Sequence, residues 1–206
     1  MKSTIRWIVF DLGGVVINVN FKNFFSALPL EYHAVVDGHQ ETLTRLFQAY
    51  ELRSGEQLPG QVYDQIRGLI NAPITNKQLE IAINAMLGDP IQEVCHAIEL
   101  LSKNYSIACL SNTNHIHWDY LLGNYPIMKT FQVQIASHLV GASKPDSKIY
   151  KIAQELLQAQ AAELLFFDDK LENVEAACEL GWKGVVFKGY ESLRDGCESN
   201  AIYSLN

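Results

Sequence analysis

Trp7-Ile-Val-Phe-Asp11-Leu-Gly13-Gly14-Val-Val16 decides how the rest of the chain is read. An apolar run of strand length leads directly into a carboxylate, and two glycines follow. Ligands of open α/β sheets bind beyond the carboxyl ends of the strands, which places Asp11 at such a crevice. Gly13 and Gly14 let the backbone turn sharply and approach a ligand with no side chain between. Taken alone, an aspartate at a strand end is equally well a simple turn cap.

Four more stretches share the character of the first strand, Arg6–Phe10. They are Tyr105–Leu110, Gln132–Ala136, Leu164–Phe167 and Gly184–Phe187. Each is short, apolar and rich in β-branched or aromatic residues, as expected of strands covered on both faces. The segments between the last four read as helices. In Ser147–Gln158 the residues Ile149, Ile152, Ala153 and Leu156 share one face, behind Pro145 and Asp146. Val174–Leu180 stops at Gly181, the residue type suited to a left-handed cap. This βαβα alternation predicts an α/β fold with a mostly parallel, Rossmann-like sheet.

The stretch from about Asn18 to Asp89 is too long for an ordinary crossover. Leu43, Leu46, Phe47 and Tyr50 form an apolar stripe at helical spacing. Val62, Ile66, Leu69 and Ile70 form a second, and Leu79, Ile83 and Met86–Leu87 a third. The expectation is a small helical insertion over the carboxyl edge of the sheet.

The 206 residues suit one α/β domain with such an insertion. Hydrophobic residues make up 48% and charged residues 19%, the balance of a chain with a real core rather than a disordered one. A net charge of −7 argues against a nucleic-acid partner, whose affinity would need clustered Lys and Arg. It does not exclude a small phosphorylated ligand held by a few local donors and a metal. Cys95, Cys109, Cys178 and Cys197 form no CxxC pair, so a reduced cytoplasmic setting is expected rather than a zinc site or a disulfide framework. No apolar run is long enough to span a bilayer, and the amino terminus reads as a strand, not a signal peptide.

Three further strand ends carry polar residues. Leu164-Leu-Phe-Phe-Asp168-Asp169 sets two adjacent acids after an apolar strand. Neighbouring carboxylates repel unless cations or hydrogen bonds compensate, and they suit a hard divalent ion; the alternative is a pair of solvated turn acids. Ser111-Asn112-Thr113-Asn114 offers a hydroxyl and amides for phosphate oxygens, or a helix N-cap. Lys144-Pro145-Asp146 places a lysine before a helix, either to neutralise a carboxylate and an incoming phosphate or as a surface residue.

The ordered set Asp11-Leu-Gly, Ser111-Asn112, Lys144-Pro145-Asp146 and Asp168-Asp169 resembles the four motifs of the haloacid dehalogenase superfamily, across nearly the whole chain. The insertion after the first motif resembles the helical cap of one subclass. Within it, the chain is most similar to bacterial α-glucose-1-phosphate phosphatases and to the phosphatase domain of soluble epoxide hydrolase. Leu-Ser-Asn-Thr-Asn, Lys-Pro-Asp-x-x-Ile-Tyr and Phe-Phe-Asp-Asp-x-x-x-Asn-Val carry that similarity.

The resemblance implies a core of residues 1–17 and 90–206, a cap of residues 18–89, and a sheet ordered 5-4-1-2-3, with strands one and four adjacent. It also implies a magnesium-dependent phosphatase acting on a small phosphorylated metabolite such as a sugar phosphate. Asp11 attacks phosphorus and forms an aspartyl-phosphate that water hydrolyses. The Mg²⁺ ligands would be Asp11, the Gly13 carbonyl and Asp169, with Asp168 behind them or joined through water. Ser111 and Asn112 would hold the phosphoryl group, and Lys144 would keep Asp11 ionised; the Lys144–Pro145 bond is expected to be cis.

One position departs from most of the superfamily. The general acid/base aspartate, two residues beyond the nucleophile, is replaced by Gly13. Losing such a group costs about 10²–10⁴-fold in rate. The glucose-1-phosphate group shares this glycine, and an anomeric oxygen leaves with less need of a proton. Arg53 or Glu51, in a loop of the insertion, would contact a sugar hydroxyl, unless that loop is merely solvated. His115 and His117 are spaced so that their rings point apart on a helix, which argues against a shared metal. His33, His39, His96 and His138 show no partner in sequence.

Two other readings compete with this one. A metal-independent 2-haloacid dehalogenase uses the same aspartate against carbon, but it has little reason to gather three carboxylates. A catalytically weak or inactive ligand-binding homologue would have kept the fold without the acid/base group. A monomer or a homodimer fits equally well, with no membrane partner.

Overall fold

The computed structural model describes residues 3–52 and 59–202. In chain order the core opens with β1 (Trp7–Phe10) and β2 (Ile17–Val19). Five helices follow: α1 (Lys22–Ala27), α2 (Leu30–Asp37), α3 (Gln40–Leu52), α4 (Pro59–Ile70) and α5 (Asn76–Asn84). The chain returns through β3 (Leu87–Pro90) and α6 (Gln92–Leu101) to β4 (Ser106–Ser111), α7 (His115–Asn124), β5 (Val133–Ala136) and α8 (Ser137–Val140). It ends with α9 (Ser147–Leu157), β6 (Leu164–Asp168), α10 (Leu171–Glu179), β7 (Lys183–Val186) and α11 (Tyr190–Ser199).

The five core strands form one parallel sheet in the order β7-β6-β1-β4-β5. Counting core strands alone, this is the expected 5-4-1-2-3, and β1 lies between β4 and β6. Alternate side chains of a strand point to opposite faces, and the core follows that rule. Ile8, Phe10, Ile107, Cys109, Leu165 and Phe167 face one layer, packed by α6, α7 and α11. Val9, Ala108, Leu110, Leu164 and Phe166 face the other, packed by α9 and α10. Burying each large apolar side chain contributes about 1.5–3 kcal/mol, which is why the two central strands β1 and β6 carry no polar residue before Asp11 and Asp168 at their carboxyl ends.

The helix ends follow local chemistry. Asn114 caps α7 by accepting from the His117 N–H at 3.0 Å, so the cap reading of Ser-Asn-Thr-Asn belongs to Asn114 and leaves Ser111 and Asn112 clear of it. Asp146 caps α9 in the same way through Lys148. Gly181 follows α10 with φ +90°, the left-handed position anticipated from its glycine. The Lys144–Pro145 bond is cis.

The insertion is richer than its three stripes. The helices α3, α4 and α5 coincide with them, but α1 and α2 precede these. Met86 and Leu87 leave the helix, Leu87 joining β3. β2 and β3 pair antiparallel across some seventy residues and carry the chain out of and back into the core. The five helices share their own apolar cluster, including Phe24, Leu43, Phe47, Ile66 and Ile83, to which the core contributes Ile116 of α7. A polar link lies beside it: His117 Nε2 donates to the Ile83 carbonyl at 3.0 Å, and its Nδ1 faces Asn114 Nδ2 at 3.3 Å. No helix among the described residues is long and apolar enough to cross a membrane.

This packing can be tested at two positions. A Cβ on Gly184 would stand 2.7 Å from both Cys178 Sγ and Val174 Cγ1, so Gly184→Ala must push α10 off β7. The expected cost is about 1–3 kcal/mol in urea unfolding; an unchanged midpoint would contradict this fit. Burial, partly offset by the Ile83 carbonyl, lowers the His117 pKa from 6.5 to about 4. The unfolded chain therefore binds the extra proton between these values, and stability is lost as pH falls from 6.5 toward 4. His117→Gln retains an N–H donor without the titration. It should remove about 2–4 kcal/mol of that acid-side loss relative to wild type, measured by denaturation at pH 7 and pH 4.5. Identical pH slopes in the two proteins would show that His117 is not buried as a neutral ring.

Candidate active site

The carboxyl ends of the three central strands, β6, β1 and β4, bring Asp168, Asp11 and Ser111 to one edge of the sheet. Asp11 follows β1 and is pinned by its own N–H, which donates to the Phe167 carbonyl at 2.9 Å. Lys144 reaches the same point from the loop after α8. It is 1% exposed, and its Nζ lies 2.8 Å from Asp11 Oδ1 and 2.6 Å from Asp168 Oδ2. The surface-lysine alternative is thereby excluded, and Asp11 is itself buried.

Asp168 is fully committed. Its Oδ2 takes the Lys144 ammonium, and its Oδ1 accepts from the Lys170 N–H and from Asn173 Nδ2, each at 2.9 Å. Asn173 is held in turn by Tyr150, whose hydroxyl donates to the Asn173 carbonyl at 2.8 Å. Asp169 is exposed, and a Cβ on Gly14 would fall 2.8 Å from its Oδ2. Gly14 has φ +79°, so both backbone conformation and space demand glycine there.

The carboxylate oxygens of Asp11, Asp168 and Asp169 can all lie within 4.8 Å of one another. Burial raises the Asp11 pKa to about 6, with Asp168 adding to the rise and Lys144 opposing it. Asp169 is raised as well, by desolvation and then by Asp168. Burial alone would lower the Lys144 pKa, but Asp11 and Asp168 outweigh it and raise it. Among the described residues, three carboxylates thus share one buried ammonium, and the cluster is short of positive charge. Asn173 Oδ1, buried beside them, has no partner among those residues. This donor set, all hard oxygens around an uncompensated negative field, fits a hydrated divalent cation.

A cavity of about 330 Å³ opens over the cluster, the size of a small-molecule site. It brings together Asp11, Gly13, Ser111, Asn112, Lys144 and Asp169. The Asn112 side chain is turned toward the Lys144 backbone. Its Nδ2 donates to the Lys144 carbonyl, and its Oδ1 accepts the Lys144 N–H, both at 2.8 Å. It therefore clamps the backbone that presents Lys144. Arg53 lies outside the described residues, and so does the side chain of Glu51.

Sequence reasoning missed Lys170 and His117 as walls of the cavity, while Thr113 lines it within the stretch read for phosphate oxygens. Lys170 had a visible signal, since it directly follows the acid pair. His117 had none, because its partner is a backbone carbonyl thirty-four residues away. The HxH residues do diverge: the His115 ring meets His138 at 4.4 Å while His117 turns to Ile83.

Position 13 is tight for a side chain. A Cβ there would lie 3.2 Å from Val19 Cγ2, so a valine methyl occupies the ground beside the missing acid/base.

The family model for haloacid dehalogenase-like hydrolases matches residues 5–181. The chain is 38% identical over 199 residues to a sesquiterpene phosphatase of Aspergillus oryzae, covering 90% of this chain and 91% of that protein. It is 25% identical to a D-ribitol-5-phosphate phosphatase of Bacteroides thetaiotaomicron, covering 87% and 90%. Among solved structures, a B. thetaiotaomicron enzyme of this family, crystallised with magnesium and inorganic phosphate, superposes with a TM-score of 0.77 at 26% identity, over 87% of this chain and 92% of that one. The L-2-haloacid dehalogenase of Xanthobacter autotrophicus shares the fold, with a TM-score of 0.64 at 19% identity, over 97% and 84%. With the four motifs gathered at one sheet edge and the family model spanning most of its length, the chain belongs to the haloacid dehalogenase-like hydrolases.

Proposed function

We propose that the protein is a magnesium-dependent phosphatase of small phosphorylated metabolites that works through a phosphorylated Asp11. The observation that carries this reading is the buried Lys144 held between Asp11 and Asp168, with Asp169 facing the same cavity. The named relatives are both phosphatases, which supports the same reaction class. The three carboxylates favour it over the metal-independent dehalogenase reading, because a bound cation relieves the charge they share.

In the first step an Asp11 carboxylate oxygen attacks phosphorus, and the bond from phosphorus to the ester oxygen breaks. The leaving alkoxide takes a proton from water, since Gly13 supplies none. In the second step water attacks the aspartyl-phosphate at phosphorus, the bond to Asp11 breaks, and phosphate departs with the carboxylate restored. Splitting one displacement into two lowers each barrier.

Lys144 keeps Asp11 ionised despite its burial and fixes which oxygen faces the cavity. Ser111 and the backbone at Asn112 are assigned to the phosphoryl oxygens, and the Asn112 side chain to holding Lys144. Asp11, the Gly13 carbonyl and Asp169 are assigned as ligands of Mg²⁺, with Asp168 orienting them from behind. When bound, the ion neutralises charge that develops on the transferring group. The helical unit of residues 18–89 is assigned as the cap that closes over this edge. A sugar phosphate is one member of the substrate class; the names of the two relatives, one terpenoid and one polyol, leave the leaving group open.

Asp11→Asn is expected to reduce hydrolysis of p-nitrophenyl phosphate by about 10⁴-fold or more while the fold survives. Activity close to wild type would remove Asp11 from the nucleophile's role. Asp169→Asn should raise the magnesium concentration giving half-maximal rate by about 10–100-fold. An unchanged magnesium titration would assign the ion to other ligands.

A further inference from the structure

The cavity over Asp11 has two unlike ends. Asp11, Ser111, Lys144 and Asp169 line its phosphoryl end, Thr113, His117, Lys170 and Asn173 add to the polar lining, and Ile17, Val19, Phe21, Leu87 and Leu121 supply an apolar wall. Ile17 and Val19 come from β2, Phe21 from the turn before α1, Leu87 from β3 and Leu121 from α7, so they line the passage between the core and the inserted helices. Val19 is 38% exposed and Phe21 partly so. Large apolar side chains left open inside a cavity gain most from an apolar ligand.

The apolar wall begins close to the reacting centre. Val19 Cγ2 stands 3.2 Å from where a residue-13 Cβ would be, two residues past the nucleophile. On this side of the nucleophile a leaving group would meet a methyl group. Part of the polar lining is already committed, although Asn173 Oδ1 has no partner among the described residues. The Asn112 amide is bound to the Lys144 backbone, and both His117 ring nitrogens have partners, Ile83 and Asn114. A sugar hydroxyl placed against this wall would lose its hydrogen bonds to water and regain few of them, a cost of about 1–3 kcal/mol for each group.

We infer that the site selects monoesters with a hydrocarbon leaving group, an aliphatic or isoprenoid phosphate, and that Val19, Phe21, Leu87 and Leu121 set this preference. The inference rests on the phosphatase reading of the same cavity, and it disfavours the sugar phosphate expected from sequence.

The test is binding of non-hydrolysable alkyl phosphonates of increasing chain length, measured by calorimetry on the full chain with magnesium. A polyol phosphonate matched in heavy atoms is the comparison. The expected result is a Kd that falls about threefold to fourfold per added methylene over the first several carbons, with the polyol at least tenfold weaker than its matched alkyl partner. Phe21→Ser and Val19→Ser should each flatten that slope. A Kd independent of chain length, a tighter polyol, or no binding of any phosphonate would overturn the inference, and wild type alone decides it if a variant fails to fold. Turnover of p-nitrophenyl phosphate separates the two claims. A steep chain-length slope without hydrolysis of any monoester would sink the phosphatase reading and leave the apolar site standing. Hydrolysis without the slope would do the reverse.

Discussion

A lysine ammonium buried between two carboxylates holds this site in place. Lys144 is nearly inaccessible, and its Nζ touches both Asp11 and Asp168. Removing these groups from water costs several kcal/mol each, which their mutual attraction recovers only when geometry and remaining hydrogen bonds are good. Here they are: Asp168 takes three donors, Asn173 is steadied by Tyr150, and Asn112 fixes the Lys144 backbone from both sides. Such a buried network adds little net stability compared with apolar packing. What it secures is the position and ionisation of one carboxylate, Asp11, in a cavity where burial would otherwise protonate it.

The sheet makes that arrangement possible. Asp11, Ser111 and Asp168 are far apart in the chain but terminate adjacent parallel strands, with β1 in the middle. Parallel pairing points every carboxyl end the same way, so polar residues banished from the strand interiors collect at one edge. Rigid apolar layers on both faces then transmit their accuracy to the site. The inserted helices connect to the core through β2 and β3, and so the entry and exit of the insertion contribute Ile17, Val19 and Leu87 to the cavity over Asp11.

Much of this was legible in the residues. The core strands appear within about a residue of their predicted ends because continuous apolar runs ending in an acid have few other structures open to them. Lys144 and the acid pair were legible as chemistry because each stood at a strand or helix boundary with a motif around it. The rest was not, for physical reasons. β2 and β3 are short, carry Asn18, Gly88 and Asp89, and exist only because they meet across the whole insertion. α1 and α2 are too short to show a stripe. The clamp of Asn112 on Lys144 is a long-range backbone contact that no local pattern encodes. Val19 looks like any strand valine until the fold sets its methyl beside Gly13. Arg53 falls outside the described residues.

The central claim is that Asp11 itself carries the phosphoryl group during turnover. Rapid acid quenching of the enzyme while it hydrolyses a monoester, followed by proteolysis and mass spectrometry, tests this directly. The account predicts a phosphoryl group on the peptide containing Asp11, absent from the peptide containing Asp168 and Asp169. Steady product formation with no phosphoryl on Asp11, or with the label on another residue, would contradict it.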